Sequence, residues 1–135
     1  DMSCKSMIYT ALETPTAVAV GGAIPLGTIV RRYGCNCNLN GNGITLEGSG
    51  YYDVEVSVVA VPDAAGTVTV QLLKDGVAVP GALASATVAA ADTSVTLAFP
   101  AAVRLGCCSD GSSLTLVLTG AASSVNNAAV QVTKL

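Results

Sequence analysis

Thiols are the side chains of this sequence with the most distinctive spacing and chemistry. The 135 residues contain five cysteines in three places: Cys4, the pair Cys35 and Cys37, and the adjacent Cys107 and Cys108. On an extended chain, residues two apart share a face and adjacent residues diverge, so the easier disulfides would join different loops. Because the number is odd, at least one thiol is unpaired within the chain, and Cys4 is our candidate for a bond to another subunit.

Three interpretations of these thiols stay open: disulfides between loops or subunits, reduced thiols in a protein assembled in the cytoplasm, and a metal site. The metal site has the least support, because the spacings lack the usual C-x₂₋₄-C ligand loops. All five cysteines are therefore candidates for a disulfide or a cross-link, and we expect no metal or other cofactor.

Other groups that carry chemistry are scarce. The sequence has no His, only six Lys and Arg, and nine Asp and Glu. Without His, the commonest general base is missing and a Ser–His–Asp triad cannot be built. A net charge of −3 and few aromatic residues offer neither a phosphate-binding patch nor stacking platforms for bases. We therefore expect a protein that is not an enzyme and does not bind nucleic acid.

The elements that must carry these residues are strands. Between residues 52 and 60, apolar side chains alternate with polar ones, which is the period-two pattern of a half-buried strand, and residues 67–72 repeat it. Asp75-Gly76 then provides a strong hairpin signal. Similar short runs, separated by turn residues every ~8–12 positions, continue to the end of the sequence. The pattern predicts an all-β, antiparallel jelly-roll sandwich of eight to ten strands with no significant helix.

The patterning also suggests how the chain is divided. Residues 1–14 are the least patterned and are predicted to form an N-terminal arm or attachment segment, while 15–135 form a single jelly-roll domain. Met7, Ile8 and Tyr9 are the candidate attachment residues, although they also fit a short strand. Residues 34–43 are expected to be a long turn-rich connection, and Pro100 to end or kink a strand. The last strand should lie inside the sheet or at an interface.

The surface is unusually poor in charge. Hydrophobic residues make up 51% of the sequence and charged residues 11%, against about 25% in an average soluble domain. No apolar run approaches the ~20 residues that cross a bilayer, so no membrane span is expected. We infer that other copies of the chain cover strand faces that would otherwise need charges. Candidate subunit contacts fall opposite the core-facing positions: Tyr51, Val59, Leu73 and Val117.

A family resemblance rests on the run GSGYYDVEVSVVAVPDAAGTVTVQLLKDGVAVPGA. Its G-x-Y-x-V strand, its V-x-L-x-x-D-G hairpin and its V-x-V-P-G segment resemble the TNF-like globular domain. That domain is related in shape to the complement globular head and is found at the tips of collagen-like proteins on spores and in phages. The whole chain, including TIVRRYG, AAVRLGCC and VNNAAVQVTKL, further resembles small phage and prophage proteins regarded as head-fibre or capsid-decoration proteins.

The resemblance implies a jelly-roll homotrimer with one sheet of each subunit near a threefold axis. It also implies a structural protein on the virion surface, assembled in the bacterial cytoplasm. Such a protein would attach to a capsid or other virion protein through its N-terminal arm and contact a host surface or glycan. The alternative is a bacterial spore-coat or cell-surface adhesin or filament subunit of the same fold. The collagen-like Gly-X-Y repeat of the spore proteins does not occur in these 135 residues.

Overall fold

The predicted sandwich is present in a computed structural model, which describes residues 5–108 and 110–135. These residues form eleven strands and no helix, slightly more strands than the eight to ten predicted. The strands are β1 Ser6–Leu12, β2 Thr16–Val18, β3 Thr28–Tyr33, β4 Cys37–Asn40, β5 Gly43–Leu46, β6 Gly50–Pro62, β7 Gly66–Lys74, β8 Val77–Val88, β9 Val95–Leu105, β10 Ser112–Thr119 and β11 Ser123–Lys134. In the described chain, no helix is long and apolar enough to cross a membrane.

Two antiparallel sheets pack face to face. One has the order β3-β1-β11-β6-β9, with β2 pairing to β11, and the other has the order β4-β5-β10-β7-β8. β11 lies between β1 and β6, as expected for a last strand inside the sheet. We call these the six-stranded and five-stranded sheets.

The core lies between the sheets and is built by the inward members of each alternating pattern. In β6, for example, Tyr52, Val54, Val56, Val58 and Ala60 are buried. Their apolar area leaves water, which is the main source of folding free energy. The largest fully buried side chains come from both sheets and from residues 24–26: Tyr52, Ile8, Ile24, Leu26, Ile44, Leu46, Leu72, Leu97, Leu114, Leu116, Leu118 and Val54.

The hairpin predicted at Asp75-Gly76 joins β7 to β8. Asp75 has a φ of 52° and Gly76 a φ of 80°, the two positive values that a type I′ turn requires. A turn was expected at Pro80, but β8 continues past it. The pairing with β7 shifts register between Gln71 and Leu73, and this bulge accommodates the extra residues of β8. The amide of Gln71 occupies this bulge and donates hydrogen bonds to the carbonyl oxygens of Leu72, Val79 and Ala82.

Residues 6–12, expected to belong to an arm outside the jelly roll, instead form a strand within it. β1 pairs with β11 on one side and with β3 on the other. Ile8 is fully buried, whereas Met7 and Tyr9 are half-buried on the opposite face. β1 is therefore part of the sandwich, with the Ile8 side chain inside it, and an attachment role for Met7, Ile8 and Tyr9 remains a prediction. Cys4 lies outside the described residues.

Two further expectations differ from the structure. The connection at residues 34–43 contains a short strand, β4, because Cys37 turns inward and packs in the core. β9 runs straight through Pro100. It is an edge strand, and the proline opposite Glu55 needs no N–H for a further neighbour.

Candidate functional site

The outer face of the six-stranded sheet has an unusual composition. The residues paired across β1, β11, β6 and β9 form rows of outward-facing side chains. One row consists of small residues: Ala11, Ala129, Ser57 and Ala98. The centre of an outer sheet face usually carries long polar side chains in a soluble protein. The short side chains of this row instead leave a depression in the face, with few polar groups to bind water.

The next row consists of larger side chains. It contains Tyr9, Gln131, Glu55 and Pro100, again directly opposite one another on the four strands. The row beyond it brings Asp53 opposite Thr133 and Ala102. The two carboxylates thus occupy one end of the face, and small apolar groups the middle.

Two depressions follow from this relief. One, of about 300 Å³, is lined by Tyr9, Glu55, Ser57, Ala98, Ala129 and Gln131 among others. The other, of about 420 Å³, is lined by Asp53, Glu55, Pro100, Gln131 and Thr133 among others. Because they share Glu55 and Gln131, they form a continuous shallow trough. We call it the trough hereafter.

The side of the sandwich beside the trough exposes large apolar groups. Here both sheets end, in β9 and β8 respectively. Val77 is 70% exposed and Leu83 44% exposed on β8. On the neighbouring strand β6, Tyr51 is 58% exposed, and the Arg104 guanidinium of β9 lies 5.8 Å from the centre of its ring. We call this the β8–β9 side.

The predicted contact residues do not lie on one surface. Tyr51 and Val59 belong to the outer face of the six-stranded sheet, near the two ends of β6. Leu73 and Val117 belong to the outer face of the five-stranded sheet, where Val117 lies opposite Gln71. The structure therefore divides the four between opposite faces of the sandwich. Their role in subunit contacts remains a prediction.

Sequence reasoning missed the trough itself. Ala129 follows Ala128, so alanine stands on both faces of β11 there and the sequence shows no contrast between inside and outside. A usable signal was available in β9, where Leu97 and Phe99 face the core. Alanine between two core positions marks an outward position that lacks the expected polar group.

The four described cysteines are free thiols in three different environments. Cys37 is buried, and this burial raises its pKa to about 11, against the smaller opposing effects of Arg32 and Lys134. Cys35 is exposed in the turn before β4. Cys107 and Cys108 are exposed in the turn between β9 and β10, with their sulfur atoms 3.0 Å apart. Adjacent side chains diverge on an extended chain, but Cys107 and Cys108 lie in a turn, where they converge.

Comparisons with known proteins identify the fold. Murine APRIL aligns with a TM-score of 0.75 at 14% identity, covering 97% of this chain and 99% of that chain. The globular domain of zebrafish complement 1qA aligns with a TM-score of 0.69 at 10% identity, covering 96% and 95%. The PRD1 vertex protein P5 aligns with a TM-score of 0.58 at 12% identity, covering 99% of both chains. No family model and no curated protein sequence matches the chain.

Proposed function

We propose that this TNF-like jelly roll is a non-enzymatic virion protein that assembles as a homotrimer and decorates the surface of a tailed phage, as a head fibre or capsid decoration. The observation that carries the trimer is the trough. A row of Ala and Ser across four strands gives a neighbouring subunit close access to the sheet.

The second contact surface of the trimer is the β8–β9 side. Val77 and Leu83 present apolar area there, beside a depression of about 380 Å³ lined by Val79, Pro80 and Val103 among others. Packing this side of one subunit into the trough of the next is a heterologous contact. Such contacts close into a ring when the rotation between subunits allows it, and three copies cover all three troughs.

A structural role fits the chemistry of the trough better than catalysis. Asp53 and Glu55 stand exposed on an open sheet face. General acid–base catalysis requires a group held against the substrate with a pKa adjusted to the reaction. A shallow sheet face lined by Ala, Ser and Thr suits contact between protein surfaces.

The virion assignment draws on two sources of support. The likeness to the PRD1 vertex protein P5 shows that a virion protein has this fold. The resemblance of the TIVRRYG, AAVRLGCC and VNNAAVQVTKL segments to phage head-fibre and decoration proteins adds sequence support.

Light scattering of the native protein tests the trimer. The expected mass is three times the 13.3 kDa of one chain, with and without reductant. Ala98→Arg should yield monomers because it fills the trough with a long charged side chain. Thr67→Arg, on an exposed position of the five-stranded sheet, is the matched control and should stay trimeric. A wild-type monomer, or equal effects of both changes, would contradict the proposal.

The virion assignment needs a separate measurement. Particles purified from cultures that carry the gene should contain the protein at a fixed stoichiometry to the major capsid protein, as measured by quantitative mass spectrometry. Its absence from intact particles would overturn the virion assignment and leave the trimer untouched.

A further inference from the structure

The turn between β9 and β10 holds two adjacent thiols in contact. Cys107 and Cys108 are both exposed, and their Sγ atoms lie 3.0 Å apart. On a strand these side chains would point to opposite faces. They converge here because Cys108 has a φ of 67°, in the left-handed region that residues with a Cβ rarely adopt. A glycine would relieve this backbone, so turn chemistry alone does not account for a cysteine at this position.

We propose that Cys107 and Cys108 form a redox site that closes into a vicinal disulfide when the protein meets a thiol oxidant of the disulfide class, such as glutathione disulfide. The inference is independent of the proposed virion role. The sulfur atoms need to approach by only about 1 Å to reach the bonded length of about 2.05 Å.

The reaction is a pair of thiol–disulfide exchanges. The Cys107 thiolate attacks one sulfur of glutathione disulfide and releases one glutathione. The Cys108 thiolate then attacks the Cys107 sulfur and releases the second glutathione, so the protein loses two electrons and two protons and the oxidant becomes two thiols. The hydrogen bond between the two sulfur atoms raises the pKa of the Cys108 thiol, which agrees with Cys108 reacting second.

The geometry also makes the bond reversible. Adjacent Cα atoms are about 3.8 Å apart, less than the usual separation of about 4.4–6.8 Å across a disulfide. The ring is therefore strained, and strained, exposed disulfides are readily reduced. Closing the pair removes two exposed thiols that would otherwise cross-link neighbouring molecules.

Peptide mapping of the native, full-length protein tests the site. Fully reduced protein is incubated with glutathione disulfide at pH 8, unfolded, alkylated and digested without reductant. The peptide with Cys107 and Cys108 should be unalkylated and lighter by two hydrogen atoms, and dithiothreitol should restore both alkylation sites. Alkylated thiols, two glutathione adducts, or a bond from either cysteine to another cysteine would overturn the proposal.

Single substitutions provide a second readout. In a Cys4→Ser/Cys35→Ser background, the buried Cys37 is the only cysteine besides this pair. Oxidation of that variant should leave most chains free of intermolecular bonds on a non-reducing gel. Adding Cys107→Ser or Cys108→Ser leaves one thiol without its neighbour, and chains linked in pairs should increase several-fold. Equal cross-linking with and without the added substitution would contradict closure within the turn.

Discussion

The carboxylate of Asp75 joins the β7–β8 turn to the first residues of β10. It accepts a hydrogen bond from the Ser113 backbone N–H at 2.9 Å and another from the Ser112 hydroxyl at 2.8 Å. The aspartate that permits the hairpin turn, with a φ of 52°, thus also fixes the neighbouring strand of the same sheet. One residue serves both local turn geometry and the pairing of distant segments.

Stability should therefore depend on the charge of Asp75. The hydrogen bonds from Ser113 and Ser112 lower its pKa below the ordinary value of 3.8. A carboxylate with a lowered pKa stabilises the fold above its unfolded-state pKa and loses that contribution as pH falls through the folded pKa. Asp75→Asn should lower the free energy of unfolding by about 1 kcal/mol near pH 7, since exposure weakens the charged hydrogen bonds, and the difference should shrink below about pH 4.

Urea denaturation of both proteins between pH 2.5 and 7 measures this difference, over a range that spans the ordinary aspartate pKa. Asp92→Asn is the matched control, because Asp92 is also an exposed turn residue with a positive φ, of 64°. If the loss of unfolding free energy is the same for both substitutions, or does not change with pH, the hydrogen bonds of Asp75 do not contribute to stability.

The core contains an unsatisfied hydroxyl at Thr10. The side chain is fully buried in β1, and its Oγ1 atom has no hydrogen-bond partner. Burial without a partner costs free energy, and valine has nearly the same shape. Thr10→Val should therefore raise the free energy of unfolding by about 1 kcal/mol.

Ser6 on the same strand provides the opposite case. Its hydroxyl donates to Asn36 Oδ1 at 2.8 Å and accepts from the Asn36 N–H at 3.1 Å. Ser6→Ala should lower the free energy of unfolding in the same denaturation experiment. If Thr10→Val proves as destabilising as Ser6→Ala, the Thr10 hydroxyl has a partner in solution.

These two residues also explain why the sequence does not distinguish a strand from an extended arm at residues 6–9. The inward positions of β1 are Ser6, Ile8 and Thr10, so two of the three are polar and the period-two contrast is lost. β6 and β7 were recognised because valine, leucine or tyrosine fills their inward positions. The pairing of β1 with β11 depends on residues more than a hundred positions away, and a local pattern cannot show it.

The candidate site was less accessible to sequence reasoning than the fold. Alternation identified the outward positions of β6, including Asp53 and Glu55. It could not show which of the two sheets has small side chains across its outer face, because that property depends on which strands are neighbours. The small row exists only where β1, β11, β6 and β9 align Ala11, Ala129, Ser57 and Ala98.

A close backbone contact should make Gly27 hard to replace. Its φ is 76°, and an added Cβ would collide with the Ala11 carbonyl group and the Leu12 Cα atom. Gly41 also has a positive φ, of 58°, but the space around it is open. Gly41→Ala should cost about 1 kcal/mol from backbone strain alone, whereas Gly27→Ala should cost roughly 3 kcal/mol or prevent folding. If Gly27→Ala and Gly41→Ala have equal midpoints in chemical denaturation, the backbone at residue 27 and β1 can move apart to admit the added Cβ.

The buried thiol of Cys37 should be unreactive in the native protein. Burial raises its pKa to about 11, so only about one molecule in a thousand carries the thiolate at pH 8. Cys35 is two residues away and exposed, which makes it an internal control within the same segment. In native protein treated with iodoacetamide at pH 8, Cys35 should be alkylated quickly and Cys37 should remain unmodified, as followed by timed peptide mapping. In urea both should react at similar rates, because unfolding removes the burial. Modification of Cys37 in the native protein at the rate of Cys35 would mean that β4 opens readily, and that this short strand does not hold Cys37 in the core.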